Sequence, residues 1–268
     1  MRASAYSECI AAAVRGTPQR GVVHSTFATA ANLLFANDFM LSLNTADAPR
    51  MPNGVQLSAS SDTAFFVSLY PGMPVLLGAE RLVIEAIDCS LALSLCQQWN
   101  PHIERPEELD VEVVRMSGER LRSIIQAART PTRFSESVRY HERGLDIPTM
   151  AQHLCGRGRG LTPSGDDMLV GWMAVQWLLH GSTFAVREAC QQIMAVAQRQ
   201  THVLSQCWLG YAAEGNVAWP LKVLLEAMSQ EDEAQLEQAA QEVLSTGATS
   251  GYDVLQGILL GLAHEKIA

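Results

Sequence analysis

The sequence predicts an α+β protein in which a strand-rich, antiparallel N-terminal part is followed by a helical C-terminal part. Short apolar segments separated by turn residues fill the first hundred residues, a pattern typical of antiparallel sheets and small barrels. After Pro101 and Pro106 the apolar residues recur at helical spacing in much longer segments. We therefore expect a β-rich domain over 1–100 and a helical domain over 101–268.

The N-terminal part contains eight segments that we predict as β-strands: 22–27, 31–35, 39–43, 55–57, 64–69, 75–77, 82–87 and 91–95. Asn37 and Asp38, between the second and third segments, are typical turn residues and predict a hairpin. Pro52, Asn53 and Gly54 indicate another turn. The small polar side chain of Asn53 could reach a neighbouring pocket, so we include it among the candidate ligand-binding residues.

The C-terminal part contains nine segments that we predict as α-helices: 119–129, 135–142, 149–155, 166–180, 184–200, 202–214, 221–228, 231–244 and 252–264. Gly181, Gly215 and Gly247 follow three of these segments. Glycine is the residue that most often ends a helix in the left-handed conformation. These positions support the predicted helix ends.

Composition limits the class of function. The net charge is −9, so we expect no binding to nucleic acid or to an anionic membrane. Neither of the two lysines, Lys222 and Lys266, follows a glycine, which excludes the G-x-x-x-x-G-K-[ST] phosphate loop. The six cysteines have no C-x-x-C spacing, and we recognise no signal peptide or membrane-spanning stretch. These features favour a cytoplasmic protein with free thiols.

The most informative segment is 156–169, Gly-Arg-Gly-Arg-Gly-Leu-Thr-Pro-Ser-Gly-Asp-Asp-Met-Leu. Its glycines allow a close approach to a ligand, and they lead into a predicted helix whose free N–H groups and dipole favour an anion. Arg157 and Arg159 add guanidinium donors. Asp166 and Asp167 could hold a cation or an amine, or act as an acid–base pair. We predict ligand contacts from Gly158, Gly160, Thr162, Ser164 and Gly165.

A second segment repeats part of the first. Residues 164–171 align with 250–257, and Ser, Gly, the second Asp, Leu and Gly recur in register. If the two predicted helix N-termini converge, they form a compact polar pocket. Ser250 and Gly251 therefore join the candidate ligand-binding residues, and Asp253 joins the two catalytic candidates Asp166 and Asp167. The alternative interpretation is that both segments are S-x-x-D capping boxes and that their later glycines permit close helix packing.

Residues 158–171 read Gly-x-Gly-Leu-Thr-Pro-Ser-Gly-Asp-Asp-x-Leu-x-Gly. This segment resembles the central motif of a domain-of-unknown-function family that includes a subunit of the heteromeric oxamate carbamoyltransferase. The Thr-Ser-Gly-x-Asp-x-Leu-x-Gly of 249–257 is similar to a later motif of that family. Asn32 with Leu33, Pro52 with Gly54, and the helix 201–215 are similar to it as well. Arg157 and Arg159 fall at variable positions of the central motif.

The resemblance implies a transferase subunit in allantoin catabolism, a branch of purine degradation. The carbamoyltransferase converts oxalurate and phosphate to oxamate and carbamoyl phosphate. It implies other subunits of a heteromeric complex as partners. The expected ligand is a small anion, namely phosphate, carbamoyl phosphate or oxamate. No cofactor is expected, and the sequence leaves open whether a divalent metal ion binds.

Two further functions remain as alternatives. The chain could be a non-catalytic partner or ligand-sensing module, in which the motif mainly shapes an interface. It could also be an independent metal-dependent hydrolase that uses the three aspartates as ligands.

Overall fold

The computed structural model describes residues 1–60, 63–128 and 146–263. The chain divides into two compact units, Met1–Pro101 and His102–Ala268. The first unit is rich in strands and the second is helical, which confirms the predicted α+β class. No helix in the described parts of the chain is long and apolar enough to cross a membrane.

The described part of the first unit contains one sheet of nine strands. They are β1 (Ala3–Ser7), β2 (Gln19–Thr26), β3 (Ala30–Phe35), β4 (Met40–Asn44), β5 (Gly54–Leu57), β6 (Pro74–Gly78), β7 (Arg81–Ile84), β8 (Cys89–Ala92) and β9 (Gln97–Trp99). Their order is β8-β7-β6-β2-β3-β4-β5-β1-β9. Most neighbours are antiparallel, but β4 with β5 and β1 with β9 are parallel. Two short helices, α1 (Ala11–Arg15) and α2 (Thr63–Val67), belong to the same unit.

The predicted hairpin is present and one predicted strand is wrong. Strands β3 and β4 pair antiparallel, and Asn37 and Asp38 between them both have a φ of 56°, which these two residue types tolerate. The predicted strand 64–69 is largely the helix α2. Phe66 and Leu69 are buried while Val67 is exposed. This three-residue spacing is that of one helix face, and it was mistaken for a continuous apolar strand.

Eight helices are described in the second unit. They are α3 (Val111–Ala127), α4 (Ile147–Leu154), α5 (Ser164–His180), α6 (Phe184–Gln200), α7 (Val203–Ala213), α8 (Trp219–Met228), α9 (Glu233–Leu244) and α10 (Ser250–Ala263). The predicted helices that fall within the described residues are present, although α3 begins well before position 119. The predicted helix 135–142 lies outside the described residues. Gly181, Gly215 and Gly247 have positive φ angles of 62°, 76° and 64°, as expected of residues that end helices.

Helix α5 lies at the centre of the helical unit. Fifteen of its 17 residues are buried, including both aspartates of its first turn. A helix that is apolar on nearly all sides packs against neighbours on all sides, and α5 contacts α4, α6, α7, α8 and α10. The N-terminal end of α5 is therefore held firmly by the rest of the unit.

Candidate functional site

Helices α5 and α10 run parallel and in register. A Cβ atom on Gly257 would lie 1.9 Å from the carbonyl oxygen of Met168. Further along both helices, Nε2 of Gln176 donates to the carbonyl oxygen of Gly261 at 2.9 Å. Because residue numbers rise together along the two helices, both N-termini open at the same end of the pair.

The contacts between these helices are reciprocal. Gly257 packs on Met168, and a Cβ atom on Gly171 would lie 2.0 Å from the carbonyl oxygen of Val254. The four residues are two pairs of equivalent positions in the repeat that aligns 164–171 with 250–257. The helix pair is thus locally two-fold symmetric. Each copy of the repeat supplies the glycine that lets the other helix approach.

The two helix N-termini meet as the repeat predicts. The Thr162 and Ser250 hydroxyl oxygens lie 3.4 Å apart, and the nearby charge of Asp253 acts on Asp167. Parallel helices bring the positive ends of their dipoles together. This end of the pair consequently favours negative charge. The N–H groups of Gly165 and Gly251 already donate to the carbonyl oxygens of Arg157 at 2.8 Å and Thr246 at 3.1 Å, so hydroxyl groups and the helix dipoles are what this end offers to an anion.

Asp166 is held by the protein's own polar groups. Its Oδ1 accepts a hydrogen bond from the backbone N–H of Gly156 at 2.8 Å, and its Oδ2 accepts from the Thr201 hydroxyl. Burial raises the pKa of Asp166, and the hydrogen bonds from Thr201 and Gly156 oppose that rise. The Asp166 carboxyl therefore fixes the loop before α5 to the turn between α6 and α7.

Asp167 has a different environment. Asp167 is only 5% exposed. Its Oδ2 is buried and has no hydrogen-bond partner among the described residues. Burial raises the pKa of Asp167 well above its usual range. The Ser250 hydroxyl opposes this rise, and the charges of Asp253 and Asp166 add to it. Since an ionised buried carboxylate is costly, Asp167 favours its neutral form and can donate a proton or a hydrogen bond.

Asp253 occupies the equivalent position on the first turn of α10. It is 0% exposed, and its backbone N–H bonds to the carbonyl oxygen of Thr249 at 3.0 Å. The structure thus brings two equivalent carboxyl groups, Asp167 and Asp253, to the point where the helices begin.

Two of the glycines predicted to bind a ligand have a packing role. A Cβ atom on Gly165 would lie 2.0 Å from the carbonyl oxygen of Leu154, at the end of α4. One on Gly251 would lie 1.9 Å from the carbonyl oxygen of Val243, near the end of α9. Each glycine lets its helix begin directly against the preceding helix. Their contact with a ligand stays a prediction.

The loop that precedes α5 is exposed at its glycines. Gly158 and Gly160 have φ angles of 123° and 91°, which side-chain-bearing residues rarely adopt. A Cβ atom on Gly160 would meet nothing within 4 Å, so this part of the loop is open. Ser164 is the first residue of α5 and is 7% exposed.

The capping-box interpretation is wrong for α5. The residue before the helix is Pro163, and no side chain caps the helix there. The hydroxyl of Ser164 therefore does not cap α5 as a capping box would require. The N–H groups of Gly165 and Asp166 donate instead to the backbone carbonyl oxygens of Arg157 at 2.8 Å and Pro163 at 2.9 Å.

Thr201 and Ser205 contribute to the site although the sequence analysis does not place them among the ligand-binding candidates. Thr201 donates to Asp166, and Ser205 donates from Oγ to the carbonyl oxygen of Leu161 at 3.2 Å. Both fix the loop before α5. The signal that points to them in the sequence is the similarity of the helix 201–215 to the carbamoyltransferase-subunit family.

Asn53 lies in the first unit. Its side-chain Nδ2 donates to the backbone carbonyl oxygen of Met40 at 3.1 Å. Its backbone carbonyl oxygen accepts from the N–H of Ser42 at 3.0 Å. Gly54 N–H bonds to the carbonyl oxygen of Met51 at 2.8 Å, so the predicted turn is present. A role of Asn53 in ligand binding stays a prediction.

A cleft of about 310 Å³ opens beside the start of α10. It is lined by Ala128, Gln241, Leu244, Ser245, Ala248, Thr249 and Tyr252.

Within 1–60, 63–128 and 146–263, no group of three or more His, Cys, Asp or Glu side chains is placed to hold a metal ion.

Comparison with known families matches both parts of the chain. Residues 2–98 match the AllH family N-terminal domain, and residues 154–262 match the family described as oxamate carbamoyltransferase subunit AllH. No solved structure matches the chain significantly. The two family matches cover most of the sequence, and the chain belongs to the AllH family.

Proposed function

We propose that this chain is a cytoplasmic subunit of a heteromeric oxamate carbamoyltransferase complex and that it binds a small anion where α5 and α10 begin. The observation that carries the proposal is the 3.4 Å approach of the Thr162 and Ser250 hydroxyls. It gathers two positive helix ends and two hydroxyl groups around one point. Family membership supports the role as a subunit with partner subunits.

The proposed reaction is the phosphorolysis of oxalurate in allantoin catabolism. A phosphate oxygen attacks the carbamoyl carbon of oxalurate, and the bond from that carbon to the oxamate nitrogen breaks. The nitrogen takes up a proton, the attacking phosphate releases one that restores the proton donor, and the products are carbamoyl phosphate and oxamate. Negative charge develops on the carbamoyl oxygen during the attack. The hydroxyl groups of Thr162 and Ser164 and the positive ends of the two helices would stabilise that charge.

The three aspartates have different roles in this scheme. Asp167 donates the proton to the leaving nitrogen, since its Oδ2 has no other described partner and burial favours its protonated form. Asp253 disfavours the ionisation of Asp167. Asp166 positions the loop that holds Thr162. No cofactor takes part.

The test is carbamoyl phosphate formation from oxalurate and phosphate by the complex reconstituted with its partner subunits. Asp167→Ala should lower the rate by about 100-fold or more, the typical contribution of a general acid, and Asp253→Ala should also lower it. Glu188→Ala, at an exposed position of α6, is the matched control and should retain the wild-type rate. If both aspartate variants assemble and turn over as wild type does, the non-catalytic partner role is favoured instead.

A further inference from the structure

The end of the helix pair that is proposed to bind an anion also contains two buried carboxyl groups. Asp167 is 5% exposed and Asp253 is 0% exposed, and the charge of Asp253 acts on Asp167. We call these two residues the carboxyl pair. Like charges repel strongly where water is largely excluded. An anion beside the carboxyl pair adds a further negative charge, so the protonation of the pair affects anion binding.

The Ser250 hydroxyl connects the carboxyl pair to the anion site. It lies 3.4 Å from the Thr162 hydroxyl, and its hydrogen bond with the Asp167 side chain opposes the rise in the pKa of Asp167. A hydrogen bond with this effect is one that is donated to the ionised carboxyl. Ser250 therefore contacts Asp167 as well as the hydroxyl of Thr162 at the proposed anion site.

A hydroxyl group has a single hydrogen to donate, and this limits which partner Ser250 can serve. When Asp167 is ionised, the carboxylate accepts that hydrogen, and only the oxygen lone pairs of Ser250 can face the anion. When Asp167 is protonated, its own O–H can donate to Oγ of Ser250, and Ser250 can then donate to the anion. Protonation of Asp167 thus removes a negative charge and also supplies a hydrogen-bond donor.

Asp166 is less suited to hold this proton. Both of its carboxyl oxygens accept hydrogen bonds, from the N–H of Gly156 at 2.8 Å and from the Thr201 hydroxyl, and such bonds favour the ionised form. By contrast, Oδ2 of Asp167 has no hydrogen-bond partner among the described residues. The proton is therefore assigned to the carboxyl pair.

The elements around the carboxyl pair carry other ionisable groups. Asp166 acts on Asp167 from the same helix, and His202 at the start of α7 acts on Asp166. Burial raises the pKa of the Cys155 thiol, which follows α4, to about 12, so this group stays neutral. Since histidines change charge between about pH 5 and 8, the effect of His202 has to be separated from that of the carboxyl pair. The exposed groups of the neighbouring segments include Arg157 and Arg159 before α5, His153 on α4, Arg199 on α6 and Glu242 on α9.

We propose that an anion binds where α5 and α10 begin together with one proton, which the carboxyl pair holds and which frees the Ser250 hydroxyl to donate to the anion. The inference rests on the proposed function, because it concerns the same site, and it adds that the affinity depends on pH. Affinity should be constant where the free carboxyl pair already holds the proton. Above that range it should fall about tenfold per pH unit, as linkage to one proton requires.

Isothermal titration calorimetry of the full-length protein with sulfate tests the inference, because sulfate keeps its charge from mildly acidic to mildly alkaline pH. Measurements in two buffers of different ionisation enthalpy give the number of protons taken up. The wild-type protein should bind sulfate more weakly as pH rises and should take up close to one proton per sulfate where the affinity falls. Asp167→Asn carries a neutral amide that can donate to Ser250. It should bind sulfate about tenfold more tightly than the wild-type protein at alkaline pH, with little proton uptake.

Two further variants complete the test. Asp253→Asn removes the other charge of the carboxyl pair and should also tighten sulfate binding at alkaline pH, which keeps the test decisive if Asp167→Asn does not fold. His202→Gln removes the nearby histidine and should retain the proton uptake of the wild-type protein.

Three results would overturn the inference. They are a wild-type affinity that does not change with pH, full proton uptake by folded Asp167→Asn, and loss of proton uptake in His202→Gln. Each of them would leave the anion site in place. The absence of sulfate binding at every pH would instead contradict the anion site itself, and with it both the proposed function and this inference.

Discussion

The hydroxyl groups of Thr162 and Ser250 lie 3.4 Å apart, although 88 residues separate them in the chain. Their contact follows from the parallel packing of α5 and α10, in which Gly171 and Gly257 each face backbone of the other helix. Side-by-side positive helix ends are unfavourable for the pair by itself. An arrangement of this kind is stabilised by negative charge or by polar ligands at the same end, which is where the proposed anion site lies.

The close packing of the two helices predicts a large effect of one methyl group. Gly257→Ala would place a Cβ atom 1.9 Å from the Met168 carbonyl oxygen, so backbone must move. We expect the free energy of unfolding to fall by about 3 kcal/mol, the upper part of the range for overpacking. Chemical denaturation measures the change.

Gly210→Ala on α7 is the matched control for that substitution. The nearest atom to a Cβ there is Met194 Cε at 3.8 Å, which is ordinary contact. Replacing glycine by alanine within a helix should stabilise the protein by about 0.5–1 kcal/mol. Equal unfolding free energies for the two variants would contradict the parallel packing of α5 and α10.

The bond between Thr201 and Asp166 predicts that Thr201→Val loosens the loop before α5. The Asp166 carboxyl would lose the hydrogen bond from Thr201 and keep the one from the backbone N–H of Gly156. A hydrogen bond to a charged or partly charged group contributes about 1.5–3 kcal/mol, so stability should fall by an amount of this order. Hydrogen exchange at Gly156 should become faster. Thr246→Val, at an exposed hydroxyl, is the control and should leave both stability and exchange unchanged. If Thr201→Val also left both unchanged, the hydrogen bond between Thr201 and Asp166 would not hold the loop.

Burial of Asp167 predicts a defined dependence of stability on pH. Burial raises the pKa of Asp167 in the folded protein well above its ordinary value of 3.8. The native state therefore binds more protons than the unfolded state between those two pKa values. Stability from this group is present below pH 3.8 and is lost as pH rises through the folded pKa. Asp167→Asn should therefore raise the melting temperature near neutral pH. The gain should shrink as pH falls towards 3.8, and a pH-independent difference would contradict the protonated state.

Asp146→Asn should change the melting temperature near neutral pH in the opposite direction to Asp167→Asn. Asp146 caps α4 by accepting from the backbone N–H of Thr149 at 2.8 Å, and this bond holds the pKa of Asp146 below its usual value. Its contribution is present above pH 3.8 and is lost as pH falls through the lower folded pKa. The melting temperature of the variant should be lower than that of the wild-type protein at neutral pH, and the two should become equal in acid. A higher melting temperature at neutral pH would show that the charge of Asp146 does not stabilise α4.

The sequence predicts the site better than it predicts the roles of individual residues within it. The repeat of 164–171 at 250–257 contains the glycines that bring the helices together, so their convergence can be predicted from local pattern alone. The different environments of Asp166 and Asp167 cannot be predicted in this way. It depends on Thr201, which is 35 residues away from Asp166 and meets it only because α5 and the α6–α7 turn pack together.

The fold shows the same division. Long helices such as Phe184–Gln200 are predicted to the residue, because their apolar spacing extends over many turns. The edge strand β9 and its neighbour β1 are missed, since Gln97–Trp99 and Ala3–Ser7 are short and lack a clear alternation of apolar residues. Their parallel pairing arises from tertiary contacts that no local pattern encodes.

The central claim is that the paired N-termini of α5 and α10 bind a small anion, and phosphate titration of the full-length protein tests it most directly. Thr162→Asp places a negative charge where the helices meet, and Thr162→Asn adds a similar side chain without charge. Phosphate should raise the melting temperature of the wild-type protein and of Thr162→Asn, and should have no effect on Thr162→Asp. An equal phosphate-dependent shift in all three proteins, or no shift in the wild-type protein, would contradict the claim.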